Sequence, residues 1–505
     1  MISIGLRNAL PQKNAPALFR NAFEAVYVPE SHPLHTGNPL IDALPPVRSD
    51  EDWLRTLFGQ PDFDPSQLEA DAHTRSYFVA NLKHFFYPFA VHAKLARRVD
   101  QFIRWGYGYR HPYSPERKAM LQKTYAEAQA AGVALPHQFS AVAPICSYSL
   151  IGGSGMGKST SIERVLASYP QCIWHPDHHL TQVVWLKVDC PKNGDVLDLA
   201  ASVVGAFDEL LGTSSIPASN WRRYGEGYYR VKVKQFAVAH HLGLLVLDEM
   251  QNLCAKRSGG REVMLNWFQE LVNDLKVPII LLGTYKATNV LQLDMRHARR
   301  AGIFGSERWD PLKPGAEFNA IVQALWRFQW LRRPGELTDE MRAVIYEETQ
   351  GVRAFIVDMF LVAQLYALWK GDETLTPNVF RHVARTEFSA VQPMLSALRS
   401  GDPARIRKYD DLMPYQIDEH IEQLRRLMPV TQEEHVQLPT HASTMAEACA
   451  KVMSALSISE TEAKQLVLRV MNGKAQSARA LTRAACKLYY ESVDKGDEVE
   501  ENTDE

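Results

Sequence analysis

Eight consecutive residues, Gly152-Gly153-Ser154-Gly155-Met156-Gly157-Lys158-Ser159, carry the spacing G-x-x-x-x-G-K-[ST] in full, and that spacing suits phosphate. Four glycines let the backbone turn successive N–H groups inward, where a Cβ would meet a bound anion. Lys158 has the reach and the charge for the β- and γ-phosphates of ATP, and the Ser159 hydroxyl suits the Mg²⁺ that accompanies them. Thr160 extends the same turn. The flanks agree. The apolar run 145–151 reads as a strand, and Ile162, Val165, Leu166 and Tyr169 fall on one face of the helix that follows. A helix N-terminus aimed at phosphate adds its dipole to the backbone donors.

Further along, Leu244-Leu245-Val246-Leu247 is an apolar run that ends in Asp248-Glu249. A strand apolar on both faces belongs in the middle of a parallel sheet, and ligands of such sheets sit at the carboxyl ends of the strands. Asp248 is placed to complete a Mg²⁺ shell, and Glu249 to orient and polarise an attacking water. The plainer alternative is a solvated acidic turn. Ile279-Ile280-Leu281-Leu282-Gly283 is a second buried run, ending in the hydroxyl of Thr284; that threonine reads either as a water-positioning group or as a helix cap. Arg296, Arg299 and Arg300 precede the next apolar run. They are either a solvated basic helix end or the source of an arginine offered to a neighbouring subunit's nucleotide, and the spacing does not choose among the three. Gly351-Val352-Arg353 opens a later helix from which Arg353 could reach the same nucleotide.

These motifs need particular elements to bring them together. From 141 to 314, short apolar runs alternate with amphipathic helices, the pattern of a parallel α/β sheet; the expected strands are 145–151, 183–188, 244–247, 279–282 and 308–312. Residues 1–50 read as an extended arm, on the strength of Asn38-Pro39 and Pro45-Pro46. Residues 51–140 read as helices, with Ser114 capping one that starts at Pro115. Residues 315–392 are helical again, with Thr376-Pro377 opening one helix. Residues 393–505 hold a polar linker, helical stretches with Ser459 and Glu462 in capping-box spacing, and an acidic tail from 494 expected to be disordered. The order of these parts is that of an AAA+ P-loop NTPase: an α/β core, a helical lid, and helical N- and C-terminal extensions. In that class Thr284 would be the sensor 1 residue and Arg353 would resemble sensor 2.

Bulk composition narrows the class. Across 505 residues there are 56 Lys and Arg against 58 Asp and Glu, a net charge of −2, so any contact with nucleic acid must come from local basic surface. The six cysteines form no C-x-x-C pair and read as reduced core residues. The N-terminus lacks a signal-like apolar stretch, and no run approaches the length of a membrane helix, so a cytoplasmic, nucleoid-associated protein with no membrane partner is expected. His175, His178 and His179 are dense enough to suggest metal, but no Cys or carboxylate set completes a site. The aromatic run Trp326-Arg327-Phe328-Gln329-Trp330 reads as lid core rather than a base-stacking surface.

Segments outside the ATPase motifs carry a more selective resemblance. Asn38-Pro39-Leu40-Ile41-Asp42-Ala43-Leu44-Pro45-Pro46 in the arm, Ile103-Arg104-Trp105-Gly106-Tyr107 before the core, residues 242–251, Arg257-Ser258-Gly259-Gly260 with Met264-Leu265-Asn266, residues 277–284, and Pro393-Met394-Leu395-Ser396-Ala397-Leu398-Arg399-Ser400-Gly401 after the lid together resemble TnsC, the AAA+ regulator of Tn-seven-type transposons. The resemblance implies an ATPase with ATP and Mg²⁺ as cofactors that assembles as a homo-oligomeric ring or filament on double-stranded DNA. It implies that the arm meets a TnsD/TniQ-type target selector and that residues 393–505 face the TnsA and TnsB transposase subunits. A slow ATP hydrolysis would set the lifetime of the assembly. It also places Lys192 and Asn193, Thr213 and Ser214, with Arg222 and Arg223 close behind, toward the DNA backbone. There they would contact phosphate without reading sequence, and ordinary solvated loop is the alternative for each. Two other functions share such a core: a signalling or defence switch that acts on proteins without DNA, and a helicase-loader-type ATPase.

Overall fold

The computed structural model describes residues 22–29, 37–129, 147–216, 219–254, 267–268, 271–272, 275–287, 305–402, 405–406, 440–456, 458–470 and 481–489. Two compact units divide the chain, residues 1–428 and 429–505.

The strands in chain order are β1 (Phe23–Glu24), β2 (Ser147–Gly152), β3 (Cys172–His175), β4 (Leu180–Val183), β5 (Trp185–Asp189), β6 (Leu244–Asp248), β7 (Ile279–Gly283) and β8 (Ser306–Trp309). Five of them form one sheet in the order β5-β6-β7-β2-β8, parallel at every pairing. The strand that feeds the glycine loop, β2, therefore lies between the last two strands of the core, and the earlier two lie beyond β7. The direction of winding reverses beside β2, which is where open α/β sheets bind ligands. Every residue of β6 and β7 is buried, as strands covered on both faces must be. Register fixes the site. Ile151 pairs with Gly283, Leu247 with Leu281, and Asp189 with Asp248, so the glycine loop, Thr284 and Asp248 emerge at one edge.

Two expected strands differ in detail. The run 183–188 is divided: Val183 ends β4 and pairs antiparallel with Cys172, while Trp185 starts β5 and pairs with Leu244. Both sheets ask for apolar residues, so periodicity held no sign of the switch. The last strand starts and ends earlier than 308–312. Pro311 has no N–H for a ladder, and the Leu312 N–H leaves the sheet to donate to the Gly351 carbonyl at 2.9 Å.

The sequence reading held no second sheet, yet β1, β3 and β4 form one. A tight turn through Pro176 joins β3 to β4, with His179 in the left-handed region at φ 49°. The described part of the arm is anchored to the core. Asn38 is itself extended, as a residue before proline should be, but it caps a one-turn helix, Pro39–Asp42, through its side chain. That turn buries Leu40 and Ile41, and Gln182 donates to the Leu40 carbonyl at 2.8 Å. His175 is pinned between the Tyr27 hydroxyl at 2.9 Å and the Gln182 carboxamide at 2.8 Å. Burial pushes His175 down to about 4, which keeps it neutral as a hydrogen-bonding link.

Helix Ala90–Gly108 inserts Phe102, Ile103 and Tyr107 into the core. The Ser114 cap appears as read, with Ser114 Oγ accepting from the Arg117 N–H at 3.2 Å. The lid comprises helices Ala316–Leu325, Asp339–Thr349, Arg353–Lys370 and Pro377–Thr386, and Thr376 caps the last through the Val379 N–H. Phe328 and Trp330 are buried, the core use expected for that aromatic run. Among the described residues no single helix is long and apolar enough to cross a membrane.

Arg75 joins the N-terminal helices to the lid. It is buried, its guanidinium grips Glu373 through two bonds of 2.7 Å, and it donates to the Trp330 carbonyl at 2.8 Å. This bond to Arg75 holds the Glu373 carboxyl below its usual range. The stabilisation it adds is therefore present above the ordinary carboxylate pKa and fades as pH falls through the lowered one. Replacing Arg75 by alanine should cost about 3 kcal/mol, because a partly buried carboxylate loses its charged partner and two backbone carbonyls lose a donor. A lowered midpoint of chemical denaturation would show it; an unchanged midpoint would mean the pair contributes nothing.

In the second unit, Ala448, Val452, Ala463, Val467, Leu481 and Ala485 form a small core. Ser459 and Glu462 make the reciprocal capping box in front of helix Glu460–Val470.

Candidate nucleotide-binding site

The glycine loop bridges β2 and helix Lys158–Leu166, whose buried face is Ile162, Val165 and Leu166. Gly155 at φ 77° and Gly157 at φ 81° hold left-handed conformations that let the loop fold back on itself. Lys158 is buried, and its ammonium donates to the carbonyls of Gly152 at 2.8 Å and Gly153 at 2.9 Å. Its charged end therefore stands over the mouth of the loop. Ser159 is half-buried and Thr160 exposed beside it.

Asp248 closes β6, buried, and its Oδ2 lies 3.3 Å from Lys187 Nζ. Lys187 also meets Glu163 at 3.0 Å and Asp189 at 3.2 Å. Burial alone would lower the Lys187 pKa, but the bond to Glu163 and the charges of Asp248 and Asp189 more than offset it and raise it. Lys187 matches no site motif in the sequence. Its signal was a cation inside an otherwise apolar run, directly across from the strand that carries the acidic pair. Glu249 follows in the left-handed region at φ 57° and is exposed, so its carboxylate projects from the strand end. Thr284 stands at the end of β7 with its hydroxyl buried and unpaired among the described residues.

The lid reaches the loop through its third helix. The Ala354 N–H donates to the Gly155 carbonyl at 3.1 Å, and Arg353 Nη1 lies 3.4 Å from the Met156 carbonyl. The Arg353 guanidinium stacks 5.7 Å from the Trp309 ring and 5.8 Å from Phe89. His92 completes this wall, 5.1 Å from Trp309, and burial, with the charge of Arg353, pushes it down to about 3. Neither Phe89 nor His92 stood out in the sequence, because they arrive from a helix far upstream.

The donor set fits Mg-ATP. The loop offers backbone N–H groups beside Gly157, where a Cβ would meet nothing nearer than 3.9 Å. Lys158 supplies charge, Ser159 and Asp248 are hard oxygen donors of the kind Mg²⁺ takes, and the unpaired Thr284 hydroxyl awaits a partner. Arg296, Arg299 and Arg300 lie outside the described residues.

The expected DNA-facing residues are not one patch. Asn193 donates to Asp198, and Arg222 binds that same carboxylate at 2.6 Å. Thr213 and Ser214 lie at the far end of helix Val196–Leu211, about 24 Å away at 1.5 Å per residue, and the Thr213 hydroxyl is spent on Asp208 at 2.5 Å. Lys192, Ser214 and Arg223 are exposed and make no ion pair among the described residues.

Fold and site together define a P-loop NTPase core. Residues 141–311 match the family model described as the bacterial TniB protein, a group related to TnsC. The match spans the core alone, from before β2 to just past β8. No curated protein matches the chain. Among solved structures the chain is similar to the Aeropyrum pernix ORC1 protein in complex with DNA, at 15% identity over 75% of this chain and 84% of that one with a TM-score of 0.34. It is also similar to Cdc6p from Pyrobaculum aerophilum, at 14% identity over 75% and 87% with a TM-score of 0.33. The Walker-type ATPase PABY2304 of Pyrococcus abyssi gives 13% identity over 62% and 89%, with a TM-score of 0.33.

Proposed function

We propose that this chain is an ATP-dependent regulator of transposition that assembles on double-stranded DNA and links a target selector to a transposase. The observation that carries the reading is the TniB match over residues 141–311, which include the glycine loop, Asp248, Glu249 and Thr284; TniB is a transposition AAA+ ATPase. The arm and post-lid segments that resemble TnsC support the same conclusion. In this reading the arm meets a TnsD/TniQ-type selector, and residues 393–505 meet TnsA and TnsB. Lys192, Ser214 and Arg223, with Asn193, Thr213 and Arg222 beside them, supply phosphate contacts.

Bound Mg²⁺, which Ser159 and Asp248 would hold, would supply a Lewis acid that neutralises charge developing on the phosphates. The chain's own groups do the rest. The loop N–H groups and Lys158 orient the phosphates, Ser159 and Asp248 hold the metal, and Glu249 with Thr284 orients and polarises water at the γ-phosphate. Arg353 and the Ala354 N–H tie the lid to the loop, so nucleotide changes what the lid rests on. One of Arg296, Arg299 and Arg300 would complete the site from a neighbouring subunit. Hydrolysis is slow and limits how long the assembly stays on DNA.

Electron microscopy of the protein with a DNA duplex tests this in ATP, a non-hydrolysable analogue and ADP. Rings or filaments on DNA are expected with either triphosphate and not with ADP. Raising salt should weaken them steeply through counterion release. A particle indifferent to both DNA and nucleotide would overturn the proposal.

A further inference from the structure

The turn after the acidic pair holds a group that the proposed chemistry has not used. Gln251 sits two residues beyond Glu249, in the 3-10 turn Met250–Cys254. Its carboxamide N–H donates to Glu249 Oε2, and its carbonyl accepts the Thr284 N–H at 3.1 Å. One planar group therefore spans the ends of β6 and β7. The two turns that carry these residues press together: a Cβ on Gly283 would stand 2.8 Å from Ala287 Cβ and 3.1 Å from Met250 Cβ. Asn252 braces the opposite side. Its side chain donates to the Cys190 carbonyl at 2.9 Å, and its N–H to the Glu249 carbonyl at 2.9 Å.

We propose that Gln251 is a positioning residue that fixes the Glu249 carboxylate against the end of the Thr284 strand. This rests on the ATPase reading above. An exposed carboxylate on a left-handed residue would otherwise sample several rotamers. With Oε2 committed to Gln251, Oε1 is the oxygen left to face water. The same carboxamide reads the position of the Thr284 backbone, so a shift at the end of β7 moves the carboxylate with it. Only a side chain that donates and accepts at once can make both bonds. Methionine keeps the shape and makes neither; glutamate keeps the acceptor but turns the donor into a like charge facing Glu249.

The test is single-turnover hydrolysis of Mg-ATP by the full chain, beside ATP affinity and thermal melting, for Gln251→Met and Gln251→Glu. Both variants are expected to hydrolyse about tenfold or more slowly, since small misplacements of a reacting group are costly. ATP affinity should stay within about twofold, because neither variant touches the loop, and the melt within a few degrees of wild type, because only the Thr284 N–H and Glu249 lose a partner. The decisive readout is the pairing with Glu249→Gln. A residue that acts only through Glu249 adds no further loss on that background; an independent further loss would overturn the proposal. Hydrolysis within twofold of wild type for both single variants would also overturn it. A wild-type chain that binds ATP but never hydrolyses it would sink the ATPase reading itself, a different result from either.

Discussion

Lys158→Ala is expected to weaken ATP binding by at least about a hundredfold, the largest effect any single side chain in the site should have on affinity. The ammonium is buried and makes bonds of 2.8 and 2.9 Å to two loop carbonyls, so it stands ready before any phosphate arrives. Hydrogen bonds to charged groups contribute about 1.5–3 kcal/mol each, and two such contacts to phosphate account for the hundredfold or more. The same two carbonyls lose a donor in the variant, so a modest loss of stability should accompany the loss of affinity. Thermal melting separates the two effects. Without nucleotide the variant should melt within a few degrees of wild type, and only wild type should gain stability when Mg-ATP is added. Fluorescence titration with a labelled ATP gives the affinity directly. If the variant binds within threefold of wild type, the nucleotide is not held by this loop.

Much of this site was legible in the sequence, for one physical reason. A loop that must wrap phosphate needs glycine, lysine and a hydroxyl at fixed offsets. Strands buried on both faces must be apolar until they reach the ligand edge, so 152–159, Asp248-Glu249 and Thr284 announce themselves. Caps were equally readable, because Ser114, Thr376 and Ser459 answer to strictly local geometry. What the sequence hid were pairings between distant segments. The β3–β4 hairpin takes Val183 from an apolar run whose residues from Trp185 onward serve the main sheet. His92 reaches Trp309 across more than two hundred positions, with ring centroids 5.1 Å apart. Arg222 pairs with Asp198 at 2.6 Å, a partner from a separate segment. Charge complementarity of this kind leaves no local pattern.

Lys187 shows why the acidic end of β6 is finely balanced. Three carboxylates, those of Glu163, Asp189 and Asp248, converge on one ammonium. The lysine therefore offsets charge that a divalent cation would share once it sits between Ser159 and Asp248. Glu249 lies outside that cluster, with its own partner in Gln251. The residue that would hold metal and the residue that would polarise water are thus tuned by different neighbours, although they are adjacent in the chain.

That separation sets the expectation for Glu249→Gln. Hydrolysis should fall by about 10²–10³-fold, within the range that general-base groups contribute, while ATP affinity stays within about threefold, because neither the loop nor Asp248 is touched. A glutamine is nearly isosteric, so the left-handed backbone at φ 57° and the contact with Gln251 need little adjustment. If hydrolysis is what ends the assembly, this variant should form longer-lived complexes on DNA with ATP than wild type does. Lys158→Ala should form none, because it never reaches the bound state. Dissociation from an immobilised duplex after dilution, followed in ATP and in a non-hydrolysable analogue, distinguishes the steps. Wild type in the analogue should match Glu249→Gln in ATP. Equal dissociation of wild type and variant in ATP, with hydrolysis abolished in the variant, would detach the timer from the chemistry. Assembly lifetime would then have to be set by something other than the state of the nucleotide.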